Sequence, residues 1–516
     1  MNEQRSKGCL ISALIWIVIL AILAAAYRYL VHPRLADRLQ EETGSSHRYK
    51  DEVLLAADAF SGYAVLRSEA LRQELKVQQI KLQVQDDKAD YAGRLRALRE
   101  GKVQLAVFTL DSLLVAGAKA GDFPATIVLI LDETKGGDAI VARRGAVNSL
   151  QDLNHPTARI VLTPGSPSEF LARVVLTNFN LPDLPGDWLV PASGVEEVLS
   201  LFRAAQPDER KAFVLWEPYV TMALESEGAH VLMDSAKLKG YIVDVLVAQR
   251  QFLRDRPEVV KSIVEAYLRA AHAVARDQDA LVRLVLADAR RNGSPALTEL
   301  QASKLAQGIQ WKNTVENYAH FGLAGPQEAE KVRSLEDMIA GVSEVLVKTG
   351  ALARDPLEGR PYMIFYDRIL AELKNQGFHP DQLSGAVPET ESSDRPLPSL
   401  SSEQWEGLLP VGEFQAPPLE FVRASAALSL DGERALQDLA RRLQTFPRYY
   451  LRVVGHARAE GDPQANAALA RERAETTLRY LAGRGLSPAR LRAESAPGRP
   501  SGAAQAVSFF IGQLAY

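Results

Sequence analysis

The chain has 516 residues, with 60 Lys+Arg against 64 Asp+Glu and a net charge of −4; at about 100–200 residues per domain it holds roughly two to four folded units. With 47% apolar and 24% charged residues it has the composition of a globular protein, so wholesale disorder is excluded. The balanced charge supplies no basic field for nucleic acid. The single cysteine, Cys9, excludes an intramolecular disulfide framework, a multi-cysteine zinc site and an iron–sulfur cluster.

The first predicted element is an apolar stretch. No charged residue occurs from Cys9 to Ala26, and Tyr27, Leu30 and Val31 extend the run. A bilayer core needs about 20 helical residues, so residues 9–31 read as a transmembrane helix or signal anchor behind a short tail, 1–8. Ala24-Ala25-Ala26 also has the small-residue character of a cleavage site, which leaves processing open. A polar spacer covers 32–50.

From there short apolar runs alternate with helix-like segments. Val53–Ala57, Val103–Phe108, Ala125–Leu131, Ala139–Ala142, Arg159–Thr163 and Ala212–Trp216 read as strands. Tyr63–Leu75, Tyr91–Glu100, Ser168–Asn178 and Val195–Ala205 read as helices between them. This alternation predicts an α/β fold with a largely parallel sheet covered on both faces. From Pro257 to Ala353 the pattern is mainly helical, and Pro257–Ala275 is strongly amphipathic. Residues 354–418 read as a helical tail followed by a Pro/Ser-rich linker. A compact unit, 419–516, follows, with helices at Asp431–Phe446 and Asn466–Gly483 and strands at Tyr449–Val454 and Ala506–Ile511.

Two places in the middle region suggest ligand chemistry. In Thr163-Pro164-Gly165-Ser166-Pro167-Ser168 a strand ends in a Gly/Ser turn and a helix begins; its N–H groups and hydroxyls could hold an anion, or form an ordinary cap. Leu215-Trp216-Glu217-Pro218 puts an aromatic ring and a carboxylate at a strand's C-terminal end, where ligands of open α/β sheets bind.

Taken together, ADAFSGY (57–63), LREGKVQLAVFTLDSLL (98–114), DETKGGDAIVARR (132–144), SLQDLNHPTARIVLTPGSPSEF (149–170), VLWEP (214–218) and VDVLVAQRQFLRDRPEVVKSIVEAY (243–267) occur in an order that resembles periplasmic solute-binding proteins of the nitrate/sulfonate/taurine type, which serve ABC transporters. Gln104 stands where that family usually has Asp. The resemblance covers residues 51–353. It implies a bilobal type II periplasmic-binding-protein fold, crossovers near Asp138 and Asp244, and hinge closure on a ligand. It also implies a ligand set of Ser61, Tyr63, Asp111, Ser166, Ser168, Trp216 and Glu217, with Ser166 and Ser168 accepting a small anion and Glu217 orienting an amine or hydroxyl. Arg143 and Arg144 could neutralise an anion or form a charged surface turn.

The segment LRVVGHARAEGDPQANAALARERAETTLRYLAGRGL (451–486) resembles the OmpA-like peptidoglycan-binding module, a smaller α+β domain. Gly455 and His456 match its strand end, Asn466 its loop, and Arg473 the helix arginine that pairs with the wall peptide. The resemblance thus implies peptidoglycan binding through Asn466 and Arg473. Arg458 occupies the family's Asp position, which replaces an attraction for the ligand's ammonium with a like charge; Glu460 is near enough in sequence to substitute.

No two of the eight His lie at metal-ligand spacing, and GxSxG, GxxxxGK[ST] and GxGxxG motifs are missing from suitable contexts. The sequence therefore reads as a non-enzyme with no cofactor: an inner-membrane, single-pass protein with its bulk in the periplasm. Its expected partners are a small anionic or zwitterionic solute, peptidoglycan, and an ABC permease or another envelope protein. The alternative is a non-catalytic envelope scaffold whose binding fold no longer carries a ligand.

Overall fold

The computed structural model describes residues 49–292, 297–325, 332–380, 397–457, 461–496 and 506–514. The apolar stretch 9–31, residues 381–396 of the Pro/Ser-rich segment, Arg458 and Glu460 lie outside the described residues. Among the described residues no helix is long and apolar enough to cross a membrane.

Eleven strands build two sheets: β1 (Asp51–Ala57), β2 (Ile80–Asp86), β3 (Leu105–Thr109), β4 (Ala125–Thr134), β5 (Asp138–Arg143), β6 (Arg159–Leu162), β7 (Leu189–Pro191), β8 (Lys211–Trp216), β9 (Ala229–Asp234), β10 (Val243–Gln249) and β11 (Ile309–Trp311). The first sheet has the order β11-β4-β10-β3-β1-β2 and the second β7-β6-β8-β5-β9. Every residue of β4 is buried, as expected for a continuous apolar run covered on both faces. In each sheet the strand that follows a crossover lies antiparallel between its neighbours, β10 between β3 and β4 and β5 between β8 and β9, and β11 adds a second antiparallel strand at the edge of the first sheet. The chain crosses between lobes twice, from β4 to β5 and from β9 to β10.

The two crossovers run side by side. Thr134 N–H donates to the Ile242 carbonyl at 3.0 Å, Gly240 N–H to Glu133 Oε1 at 2.6 Å, and Lys135 Nζ to the Leu238 carbonyl at 2.7 Å. Gly240 has φ +68°, a conformation glycine adopts without strain.

All six predicted strands form, with ends moved by a few residues. The predicted helix Tyr63–Leu75 splits into a 3-10 turn, Ser61–Val65, and a helix, Glu69–Val77, because Ser68 caps the second by accepting from Leu71 N–H. Residues beyond Ala353 continue the first lobe: Ile364, Ile369, Leu370 and Leu373 are buried, and Tyr366 N–H donates to the Ile127 carbonyl at 2.8 Å.

The C-terminal unit has a sheet of order β12-β15-β13-β14, from β12 (Leu409–Phe414), β13 (Tyr450–His456), β14 (Leu491–Ala496) and β15 (Val507–Gln513). Helices Leu430–Gln444 and Pro463–Gly483 cover it. A Cβ on Gly455 would lie 1.9 Å from the Ala470 carbonyl oxygen, so only glycine lets β13 meet the second helix here. The first strand of this sheet precedes Leu419. Val411 and Phe414 supply its buried face, whereas Val422–Ala424 are exposed.

This unit is packed against the second lobe. Gln415 N–H donates to the Asn178 carbonyl at 2.7 Å, Asn180 N–H to that of Glu413 at 2.9 Å and Lys239 N–H to that of Thr445 at 3.0 Å. Phe446 meets Phe414, Phe179 and Tyr241 edge to face, at ring separations of 5.2, 6.2 and 6.3 Å.

Candidate functional site

Strand register gathers carboxyl groups where the lobes meet. Asp244 on β10 pairs with Thr109 on one side and Asp132 on the other. Asp111 lies in the first turn of helix Leu110–Ala120, and Asp138 opens β5 in the second lobe. Asp132 is 0% exposed, Asp244 1%, Asp111 5% and Asp138 5%. Tyr63, also buried, donates its hydroxyl to Asp244 Oδ1 at 2.5 Å.

Burial disfavours the ionised form of each of these acids. It raises Asp138 to about 7, with Asp244 and Asp111 adding repulsion, and raises Asp111 to about 6. Asp244 is raised to about 7 by the same burial, against which the hydrogen bond from Tyr63 acts. Asp132 is pushed well above the ordinary carboxyl range by burial and then by repulsion from Asp244, and among the described residues neither of its side-chain oxygens meets a hydrogen-bond partner. The neighbouring Glu133 points to the other face of β4 and behaves oppositely. Lys312 and Lys135, each 3.0 Å away, hold it well below the ordinary range.

Aromatic groups surround this floor. Tyr267 is buried and its hydroxyl has no partner among the described residues; its ionisation is opposed by burial and then by Asp132 and Asp244. Trp311 Nε1 donates to the Gly62 carbonyl at 2.8 Å, and a Cβ on Gly62 would lie 2.7 Å from Asp132 Oδ2. Arg94, buried beside Tyr91 and Phe108, is neutralised by Asp58 at 3.0 Å and Asp87 at 2.5 Å.

Of the sequence-predicted residues, Tyr63, Asp111 and Ser168 lie at this floor. Ser168 is fully buried; its hydroxyl is close enough to Asp138 to favour the ionised acid, though it meets no partner at full hydrogen-bond geometry. Ser61 is half-buried at the start of the 3-10 turn. Ser166 donates to the Thr163 carbonyl at 2.7 Å, within its own turn. Glu217 accepts from Thr221 N–H at 3.1 Å and Oγ1 at 2.9 Å, capping the next short helix, while Trp216 ends β8 half-buried. The helix N-terminus expected to receive an anion already faces protein carboxyls: Glu169 accepts from Gly165 N–H at 2.7 Å, and Asp138 lies beside Ser168. Arg143 donates to the carbonyls of Phe202, Arg203 and Glu227 and forms a structural turn.

The sequence reading missed Asp132 as a site residue and took Asp138 and Asp244 as crossover markers alone. The available signal was an acid at the end of, or inside, an otherwise apolar strand, where local patterning fails for a reason.

In the C-terminal unit Arg473 Nε donates to the Ser425 carbonyl at 3.0 Å, and its guanidinium lies 4.9 Å from the Phe421 ring centre. Asn466 is half-buried in the first turns of the same helix. His456 Nε2 lies 2.9 Å from Ser508 Oγ across the sheet.

Residues 420–506 match the model of the OmpA family. The peptidoglycan-associated lipoproteins of Brucella melitensis and Brucella suis are each 35% identical over 68 residues, 13% of this chain and 40% of theirs. The chain therefore spans well under half the length of these curated relatives. Among solved structures, the two-lobed part is similar to the periplasmic aliphatic sulphonate binding protein SsuA from Escherichia coli, with 16% identity, a TM-score of 0.45, and coverage of 61% of this chain and 92% of that one. It is also similar to the periplasmic nitrate-binding protein NrtA from Synechocystis PCC 6803, with 11% identity, a TM-score of 0.46, and coverage of 65% and 91%.

Proposed function

We propose that the chain is an envelope solute-binding protein, anchored in the inner membrane by residues 9–31, that captures a small ammonium-bearing solute between its lobes and contacts peptidoglycan through its C-terminal unit. The observation that carries the ligand class is the floor of buried aspartates at the crossovers. A zwitterion or cation would neutralise it, and the surrounding aromatic rings suit an organic ammonium. A purely anionic solute would meet like charge: two unit charges 4 Å apart interact by about 4 kcal/mol at an effective dielectric of 20. An ABC permease or another envelope protein would receive the loaded form.

A second reading, a scaffold without ligand, is favoured by one observation. Helix Leu335–Lys348 packs on helices from both lobes, and one apolar core continues from the first lobe into the C-terminal unit. Thermal unfolding of the full chain at pH 8 separates the two. Putrescine, glycine betaine or taurine is expected to raise the melting temperature while methanesulfonate does not; a solute present at 100 times its Kd adds about 2.7 kcal/mol. No shift with any of them would favour the scaffold.

Wall contact is tested by sedimentation with purified peptidoglycan. Arg473→Ala is expected to lower retention roughly tenfold, the loss of one charge-assisted contact. Equal retention of both proteins would remove Arg473 from the wall-binding role.

A further inference from the structure

A cavity of about 650 Å³ lies at the junction of the second crossover, helix Leu335–Lys348 and helix Leu430–Gln444, lined in part by Asn178, Arg333, Gly341 and Arg442. Arg333 is seated by two glycines. A Cβ on Gly341 would fall 2.2 Å from its Nη2, and one on Gly240 would fall 2.9 Å from its Cδ. Gly341 sits inside a helix, where glycine costs about 1 kcal/mol relative to alanine, so the seat has a local cost that helix formation alone does not explain. Arg333 donates to the carbonyls of Gly240 at 3.2 Å and Asp337 at 2.5 Å. Arg442 donates to the Gln415 carbonyl and lies 5.1 Å from the Phe414 ring centre.

Among the described residues neither guanidinium lies within ion-pair distance of a carboxylate; Asp337 and Glu344 attract Arg333, and Asp438 and Glu344 attract Arg442, from farther off, while each of these acids also has a nearer contact. Asp438 pairs with Arg441, Glu344 with Lys348 at 2.5 Å, and Asp337 accepts from Ser334 Oγ at 2.7 Å. Asn178, one of the lining residues, is fully buried, and its side-chain oxygen has no partner among the described residues.

We infer that this junction binds a small oxyanion that carries a hydroxyl, of the hydrogen-phosphate or hydroxycarboxylate class, with its charged oxygens on Arg333 and Arg442 and its hydroxyl on Asn178. Planar guanidinium forks match such oxygens. The site lies outside the interlobe floor and does not depend on the ligand proposed there. Because it joins the second crossover to the C-terminal unit, its occupant stabilises their packing.

The probe is inorganic phosphate, added at low millimolar concentration and constant ionic strength to the full chain at pH 7, with sulfate and chloride as comparisons. Phosphate is expected to raise the melting temperature more than sulfate, which has no hydroxyl at this pH. Arg333→Gln and Arg442→Gln are each expected to weaken phosphate binding roughly tenfold or more. If circular dichroism shows Arg442→Gln to be unfolded, Arg442→Lys keeps the charge without the fork and is expected to bind detectably but more weakly. Equal shifts with all three salts, or a phosphate shift unchanged in Arg333→Gln, would overturn the assignment.

Discussion

Phe446→Ala is expected to cost about 3–5 kcal/mol, the range for emptying a buried phenylalanine site, and to loosen the C-terminal unit from the second lobe. Phe446 is 0% exposed and its ring meets two partners from its own unit, Phe414 and Tyr449, and two from the two-lobed part, Phe179 and Tyr241. Removing it opens a cavity in the C-terminal core and breaks the aromatic bridge between units. Phe179→Ala tests the bridge from the other side. In a double-mutant cycle the two substitutions are expected to couple by about 0.5–3 kcal/mol, because they remove the same contact. Hydrogen exchange of the Asn180 and Gln415 amides, which bond across the junction, is expected to accelerate in both variants. Strict additivity with unchanged exchange would mean that the units are held together elsewhere.

The second large effect is a pH dependence of stability. Asp138 is raised from its ordinary value of 3.8 to about 7, so the folded state holds this proton more tightly than the unfolded chain does. Its contribution is therefore full below about pH 4 and is lost as pH rises through about 7. Asp111, raised to about 6, and Asp244, raised to about 7, act in the same direction. At 1.36 kcal/mol per unit, Asp138 alone accounts for up to about 4 kcal/mol between pH 4 and pH 8. Asp138→Asn removes that loss, so the variant is expected to match the parent near pH 4 and exceed it at pH 8. Denaturant titrations across this range give the comparison. A parent and variant with parallel pH profiles would show that Asp138 is not held protonated by burial.

Much of the two-lobed fold was legible in the sequence because its central strands are buried on both faces and read as apolar runs. Ala125–Thr134 and Lys211–Trp216 stand out for this reason. The edge strand Ile80–Asp86 did not, since its IKLQVQD pattern is half-exposed and polar, and β7 and β11 have three residues each. Strand β12 was hidden in a Pro-rich stretch, and its burial depends on partners distant in sequence: Phe509–Ile511 in its own sheet and Phe179 in the second lobe. The candidate site was less legible. Tyr63, Asp111 and Ser168 were named, but the carboxylates that set its charge come from strands that meet through crossovers. A spacing along the chain cannot report that Asp132 lies beside Asp244.

The same geometry explains why an anion was the first expectation. A Gly/Ser turn opening a helix does expose N–H groups, and the sequence places Ser166 and Ser168 there. In the folded chain Glu169 accepts from the Gly165 N–H and Asp138 lies beside Ser168, so this turn already faces carboxyl groups of the protein itself.

The most direct test is calorimetric titration of the full chain at pH 8 and pH 5 with whichever ammonium-bearing solute gives the largest thermal shift. The account predicts binding at pH 8, weakening at least tenfold at pH 5 as the floor becomes protonated, and loss in the Asp132→Asn, Asp244→Asn double variant. Binding of the same solute with equal strength at both pH values and in the double variant, or tight binding of methanesulfonate in its place, would contradict it.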